Sequence, residues 1–272
     1  MKPMTDIAAL RIRGAALSFG DRTLWSGLDF EVAPGELVAV LGPNGSGKTS
    51  LLRSILGLQP LDAGVIEVAG MPVRRGRSAV GYVPQQKAIA PDTALRARDL
   101  VGFGVSGTRF GLPLPSARDR RQVDELLERV GASAYGRMPV GRLSGGEQQR
   151  LRIAQALAGD PRLLLLDEPL LSLDLQHQRG LADLLARERT AGNAGILVVT
   201  HDVNPLLGLV DRVLYLAGGR FRAGTPDEVL QSPVLSELYG TPVDVLRSRG
   251  RLVVVGAPDV GDVHHAHGEG EH

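Results

Sequence analysis

The apolar positions of this chain fall into two patterns. ELVAVLG at 36–42, AVGYVPQ at 79–85, RLLLLDEP at 162–169 and GILVVTHD at 195–202 are short runs that end at a polar residue or a glycine. Runs of this length and composition predict buried strands. Other stretches repeat their apolar residues at helical spacing. TSLLRSILGL at 49–58 does so through Leu51, Leu52, Ile55 and Leu56. RRQVDELLERVG at 120–131 does so through Val123, Leu126, Leu127 and Val130. EQQRLRIAQALAG from Glu147, QHQRGLADLLARERT at 176–190 and PDEVLQSPVLSELYG from Pro226 also read as helices, as does Thr93 to Val101. Partly alternating strands are expected at 8–13 and 28–32, with a turn at Gly20-Asp21, and a β stretch at 65–69. A hairpin turned by Gly218-Gly219 fits 212–226, and LVVVG at 252–256 reads as one last strand.

The order of these elements predicts an α/β fold. Its core covers about 1–87 and 157–240, with a small antiparallel β region near the start. Strand signals fade between 88 and 156, where helices and a Gly/Pro/Ser-rich loop at 102–118 predict an inserted helical subdomain. A short extension at 241–261 and a polar tail at 262–272 follow. The tail, GDVHHAHGEGEH from Gly261, is low in complexity and expected to be disordered.

Composition narrows the function classes. Hydrophobic residues make up 43% and charged residues 22%, as in an ordinary soluble protein. The formal charge is +1, from 31 basic and 30 acidic side chains, so no long-range attraction to nucleic acid is expected. No apolar stretch approaches the ~20 residues of a membrane helix. The first residues do not read as a secretory signal. Cysteine is absent, which excludes disulfides and thiolate metal ligands.

The chemistry concentrates at GPNGSGKTS, residues 42–50. A glycine-rich loop between a strand and a helix lets backbone amides and the helix N-terminus point at phosphate oxygens. The expected contacts come from Gly42, Pro43, Asn44, Gly45, Ser46, Gly47, Lys48, Thr49 and Ser50. Lys48 should reach the β- and γ-phosphates, and the Thr49 hydroxyl should bind Mg²⁺. Asp167 ends a run of four leucines, which puts its carboxylate at the C-terminal edge of a parallel sheet, within reach of Mg²⁺. Glu168 is then placed to orient or deprotonate a water. His201 and Gln85 each end a strand. On spacing alone, either could serve the phosphate site or simply finish its strand. LSGGEQQR at 143–150 offers a second anion-binding helix start through Ser144, Gly145 and Gly146.

This set of motifs in this order resembles the ATP-binding cassette subunits of ABC transporters over roughly residues 8–240. The resemblance implies a RecA-like P-loop core, an antiparallel β subdomain and an inserted helical subdomain. It implies ATP and Mg²⁺ as ligands, Glu168 as catalytic base, His201 as switch histidine and Gln85 as the Mg²⁺-sensing glutamine. Phe19 takes the place of the adenine-stacking aromatic, with Trp25 packing against the β region. Ser144 to Gly146 would meet nucleotide held by a second copy, giving a head-to-tail homodimer with two ATP molecules between the chains, and Asp174 belongs to the nucleotide-binding set in a loop that communicates across that dimer. Leu171 departs from the small polar residue that the family commonly has there. The partners implied are transmembrane permease subunits at the cytoplasmic face of the membrane and, indirectly, a solute-binding protein.

For the cargo, DEPLLSLDLQHQ and the ending SELYGTPVDVLRSRGRLVVVG look like the zinc/manganese importer ATPases, most of all a zinc importer. The tail's His264, His265, His267 and His272 suit weak Zn²⁺ binding, or form a plain solvated extension. Three alternatives stand beside zinc import: an ABC transporter ATPase for manganese or another solute, a soluble non-transport ABC ATPase, and a non-catalytic nucleotide binder.

Overall fold

A computed structural model describes residues 7–75, 79–85, 89–107 and 116–256. The chain opens with β1 (Leu10–Phe19) and β2 (Arg22–Val32), antiparallel about the turn at Gly20-Asp21. Both strands are longer than expected. Register shifts on either side of Ala15 break the alternation, and Gly14 there has φ +54. The sequence pattern is therefore clean only at the paired ends. β3 (Leu37–Leu41), α1 (Lys48–Ile55), β4 (Ala63–Val68), β5 (Met71–Pro72) and β6 (Val80–Val83) follow.

Three helices come next: α2 (Ala97–Ser106), α3 (Ala117–Arg129) and α4 (Gly145–Leu157). The expected helix at Thr93–Val101 starts later and runs further. Backbone groups before it are taken by a neighbouring segment: Val140 N–H donates to Leu95 (2.8 Å), and Ala97 N–H donates to Met138 (2.9 Å). The expected loop at 102–118 is thus partly helix, and residues 108–115 lie outside the described residues. The core resumes with β7 (Leu163–Asp167), α5 (Leu175–Ala191), β8 (Gly195–Val199), β9 (Arg212–Ala217) and β10 (Arg220–Gly224). The single helix expected after Pro226 is two, α6 (Pro226–Val229) and α7 (Ser232–Tyr239), separated by an extended Gln231. The last strand is half of a hairpin, β11 (Asp244–Ser248) with β12 (Arg251–Val255).

One sheet has the order β2-β1-β4-β5 and is antiparallel. The other, six-stranded, has the order β10-β9-β3-β8-β7-β6, and its strands from β9 to β6 are parallel. Every residue of β3, β7 and β8 is buried. Alternate residues serve opposite sides. Val38, Val40, Leu163 and Leu165 pack with α1 and the antiparallel sheet. Leu37, Ala39, Leu164 and Leu166 pack with the helices of the other layer. Burial on both faces explains the unbroken apolar runs, and each such leucine contributes about 1.5–3 kcal/mol relative to exposure. This is the α/β P-loop architecture that the sequence predicts. Among the described residues, no helix is long and apolar enough to cross a membrane.

Candidate functional site

The loop after β3 is shaped by close approaches. Gly42 has φ +143, and a Cβ there would lie 2.1 Å from the Leu216 carbonyl oxygen. Gly47 has φ +98, and its Cβ would lie 2.9 Å from the Trp25 indole nitrogen. Trp25 is fully buried on β2, so it packs in the β layer as expected and also braces the loop. Gly47 caps α1 without any side-chain hydrogen bond, leaving the first-turn amides to the loop's concave side. Lys48 Nζ donates to the carbonyls of Gly42 (2.6 Å) and Pro43 (2.9 Å). Burial lowers the pKa of this ammonium, and Glu168 and Asp167 oppose the shift.

The carboxylates come from β7. Burial raises the Asp167 pKa, as does the neighbouring Glu168, while Tyr82 and Lys48 act against this. Tyr82 Oη donates to Asp167 Oδ2 at 3.5 Å from the adjacent strand. Glu168 has φ +47, rare for a side-chain-bearing residue, and its N–H donates to Val199 (2.8 Å). This backbone turn aims its side chain at the end of β8. There His201 Nδ1 lies 2.9 Å from Glu168 Oε2. A carboxylate only accepts, so the proton sits on Nδ1 and the ring's second nitrogen faces away from Glu168.

Two open clefts adjoin along this sheet edge, and Asn44, Gln85 and Glu168 line both. One, of about 400 Å³, also takes in Phe19, Arg22, Gly45, Gly47, Lys48, Thr49, Ser50 and Asp167. The other, of about 700 Å³, contains His201 and Leu171 and extends to β12. The lysine, the threonine and the buried acid converge in the first. Phe19 is 53% exposed at the end of β1, on the rim of this cleft. Pro43 lines the larger cleft, and Ser46 is buried in the loop. Arg22 and Tyr82 were missed by sequence reasoning. Arg22 donates to the Gly45 carbonyl (3.0 Å), and its place beside the Gly20-Asp21 turn could have drawn attention to it.

Ser144, Gly145, Gly146 and Asp174 do not line the cleft that holds Lys48. Ser144 caps α4 in a reciprocal box with Glu147, and Asp174 caps α5. The tail histidines His264, His265, His267 and His272 lie outside the described residues. Among the described residues, no group of three or more His, Asp or Glu could hold a metal ion.

Residues 25–171 match the family described as ABC transporter. The chain belongs to the ABC transporter family. It is an ABC ATPase, and binding of ATP with Mg²⁺ is typical of such chains. The sulfate/thiosulfate import ATP-binding protein CysA of Nocardia farcinica is 36% identical over 248 residues, which is 90% of this chain and 73% of that protein. The Fe(3+) ions import ATP-binding protein FbpC of Streptomyces avermitilis is 41% identical over 231 residues, 82% of this chain. The match spans 64% of that FbpC, slightly under two thirds of its length. Among solved structures, an inward-facing ABC transporter assigned to the metal-chelate type has a chain at TM-score 0.76 and 27% identity, covering 91% of this chain and 96% of that one. CbiO1 from Clostridium perfringens, part of the ABC transporter complex cbiONQ, gives 0.72 and 26%, covering 85% of this chain and 94% of that one. Neither curated relative names zinc. The zinc-specific expectation gives way to a broader cargo class of metals and anions.

Proposed function

We propose that this chain is the ATP-hydrolysing subunit of an ABC importer for a metal ion or a small oxyanion. The observation that carries the catalytic part is the convergence of Lys48, Asp167 and the Glu168–His201 pair on one sheet edge. In this reading Phe19 stacks on adenine, and the loop from Gly42 to Ser50 holds the phosphates. Thr49, Asp167 and Gln85 would hold Mg²⁺, which neutralises charge on the phosphate oxygens. Lys48 exchanges the loop carbonyls for phosphate oxygens. Glu168 accepts the proton of the attacking water as its oxygen bonds to the γ-phosphorus, and the bond to the β–γ bridging oxygen breaks. His201 holds Glu168 in place through Nδ1.

Two copies would sandwich two ATP molecules head to tail, with Ser144, Gly145 and Gly146 facing the partner's nucleotide and the Asp174 loop communicating across the dimer. The pair would dock on a transmembrane permease at the cytoplasmic face, with Gln85 beside the contact, served by a solute-binding protein. Iron(III) is the favoured cargo, supported by FbpC and by the metal-chelate type transporter. Sulfate is the second reading, supported by CysA. Zinc, manganese and weak Zn²⁺ binding by the tail rest on sequence texture alone.

The test is uptake in cells lacking the gene, with iron(III), sulfate, zinc and manganese supplied separately. The expected result is an iron deficit restored by the intact gene and not by Lys48→Ala. A sulfate deficit alone would select the second reading. Normal uptake of all four, with the gene expressed, would end the cargo proposal.

A further inference from the structure

Two helix starts of the chain are tied together by one imidazole. His177 lies in the first turn of α5, and its own N–H donates to Asp174 Oδ1 at 2.8 Å. Its ring Nδ1 lies 2.9 Å from both oxygens of the same carboxylate. Its Nε2 lies 3.3 Å from Ser144 Oγ, the cap of α4, a residue 33 positions away in sequence. The carboxylate accepts, so Nδ1 carries the proton and Nε2 of the neutral ring accepts from the Ser144 hydroxyl. Ser144 Oγ in turn accepts the Glu147 N–H at 3.3 Å. Hydrogen bonding from His177, backbone first and ring second, holds the Asp174 pKa below the usual carboxylate range. The ring also lies against Gly146, where a Cβ would come within 2.0 Å of His177 Cδ2. Glycine at 146 is therefore a requirement of this ring, whatever else it does for an anion.

We propose that His177 is a positioning residue for the Ser144 hydroxyl. It fixes the serine rotamer and the seat of α4 on α5, so that the hydroxyl and the α4 amides meet the terminal phosphate of a second copy's ATP as one rigid group. This rests on the sandwich reading above. Ordering these groups in advance removes a cost otherwise met on association. The device uses neither of the clefts at the sheet edge, and sequence reasoning did not single out His177.

The test uses the full chain carrying Glu168→Gln, with ATP and Mg²⁺. Dimerisation is followed by sedimentation, and binding of a fluorescent ATP to the single chain is measured beside it. His177→Phe keeps a ring over Gly146 and removes both nitrogens. His177→Gln keeps a side-chain acceptor for the serine. His177→Phe should weaken ATP-driven dimerisation roughly fivefold while leaving single-chain ATP binding unchanged. His177→Gln should recover most of this loss. Added to Ser144→Ala, His177→Phe should cost nothing more. If Ser144→Ala leaves dimerisation unchanged, the sandwich reading fails and this inference fails with it. If Ser144→Ala weakens dimerisation but His177→Phe does not, or the two effects add, the sandwich stands and the positioning role is wrong. Should His177→Phe not fold, His177→Leu is a smaller apolar replacement that also removes both ring nitrogens. It should lower dimerisation in the same non-additive way, and additivity would overturn the inference.

Discussion

The N-termini of α1 and α4 both take anions in this reading, and they are built in opposite ways. α1 starts at Gly47, with no side-chain cap, behind a loop braced by Trp25 and Leu216. Its amides are left for a ligand that enters a cleft of its own chain. α4 starts at Ser144, whose hydroxyl accepts the Glu147 N–H and meets His177 Nε2, and whose backbone N–H donates to the Glu147 carboxylate. A helix start that meets its ligand only on association with another chain has to be stable without it. The first site is preformed by burial, and the second is held ready by exchangeable hydrogen bonds.

Substitutions at the two starts should therefore differ in kind. Gly42→Ala should have the largest effect, because its methyl group would collide with the Leu216 carbonyl. Loss of measurable ATP binding by titration is expected, and retained affinity would show the loop to be pliable. Glu168→Gln should come next. Turnover should fall by roughly 10²–10⁴-fold, in the range of a lost general base, with ATP still bound. A phosphate-release assay beside an ATP titration checks both halves. Ser144→Ala should cost about 1 kcal/mol in thermal unfolding, the worth of an N-cap, and leave single-chain ATP affinity intact. Weakened single-chain affinity would erase the contrast between the two starts. Phe19→Ala should be smallest, reducing ATP affinity by about 2–5-fold through loss of a stacked ring. Phe19→Tyr should restore it.

Much of this architecture is legible in the sequence. β3, β7 and β8 are apolar on both faces, so their period is unambiguous and their ends mark the site edge. The loop at 42–50 declared itself through glycine spacing and its lysine. What escaped was set by contacts distant in sequence. β11 escaped because its residues are mostly exposed, and Asp244, Arg247 and Ser248 interrupt its apolar signal. The start of α2 was decided by hydrogen bonds to 136–140. Tyr82 and His177 act through partners 85 and 33 positions away. The left-handed backbone of Glu168 has no sequence signature, yet it aims that carboxylate at His201.

Asn204 follows the His201 turn and holds β12 from both sides of one peptide position. Its Nδ2 donates to the Leu252 carbonyl (2.9 Å), and its Oδ1 accepts the Leu252 N–H (2.7 Å). One side chain thus replaces a rung of a missing third strand. The turn and the hairpin are riveted at this one position. The loop that leaves the catalytic edge is thereby stitched to a hairpin whose far side is outer surface, at Leu246 and Val253.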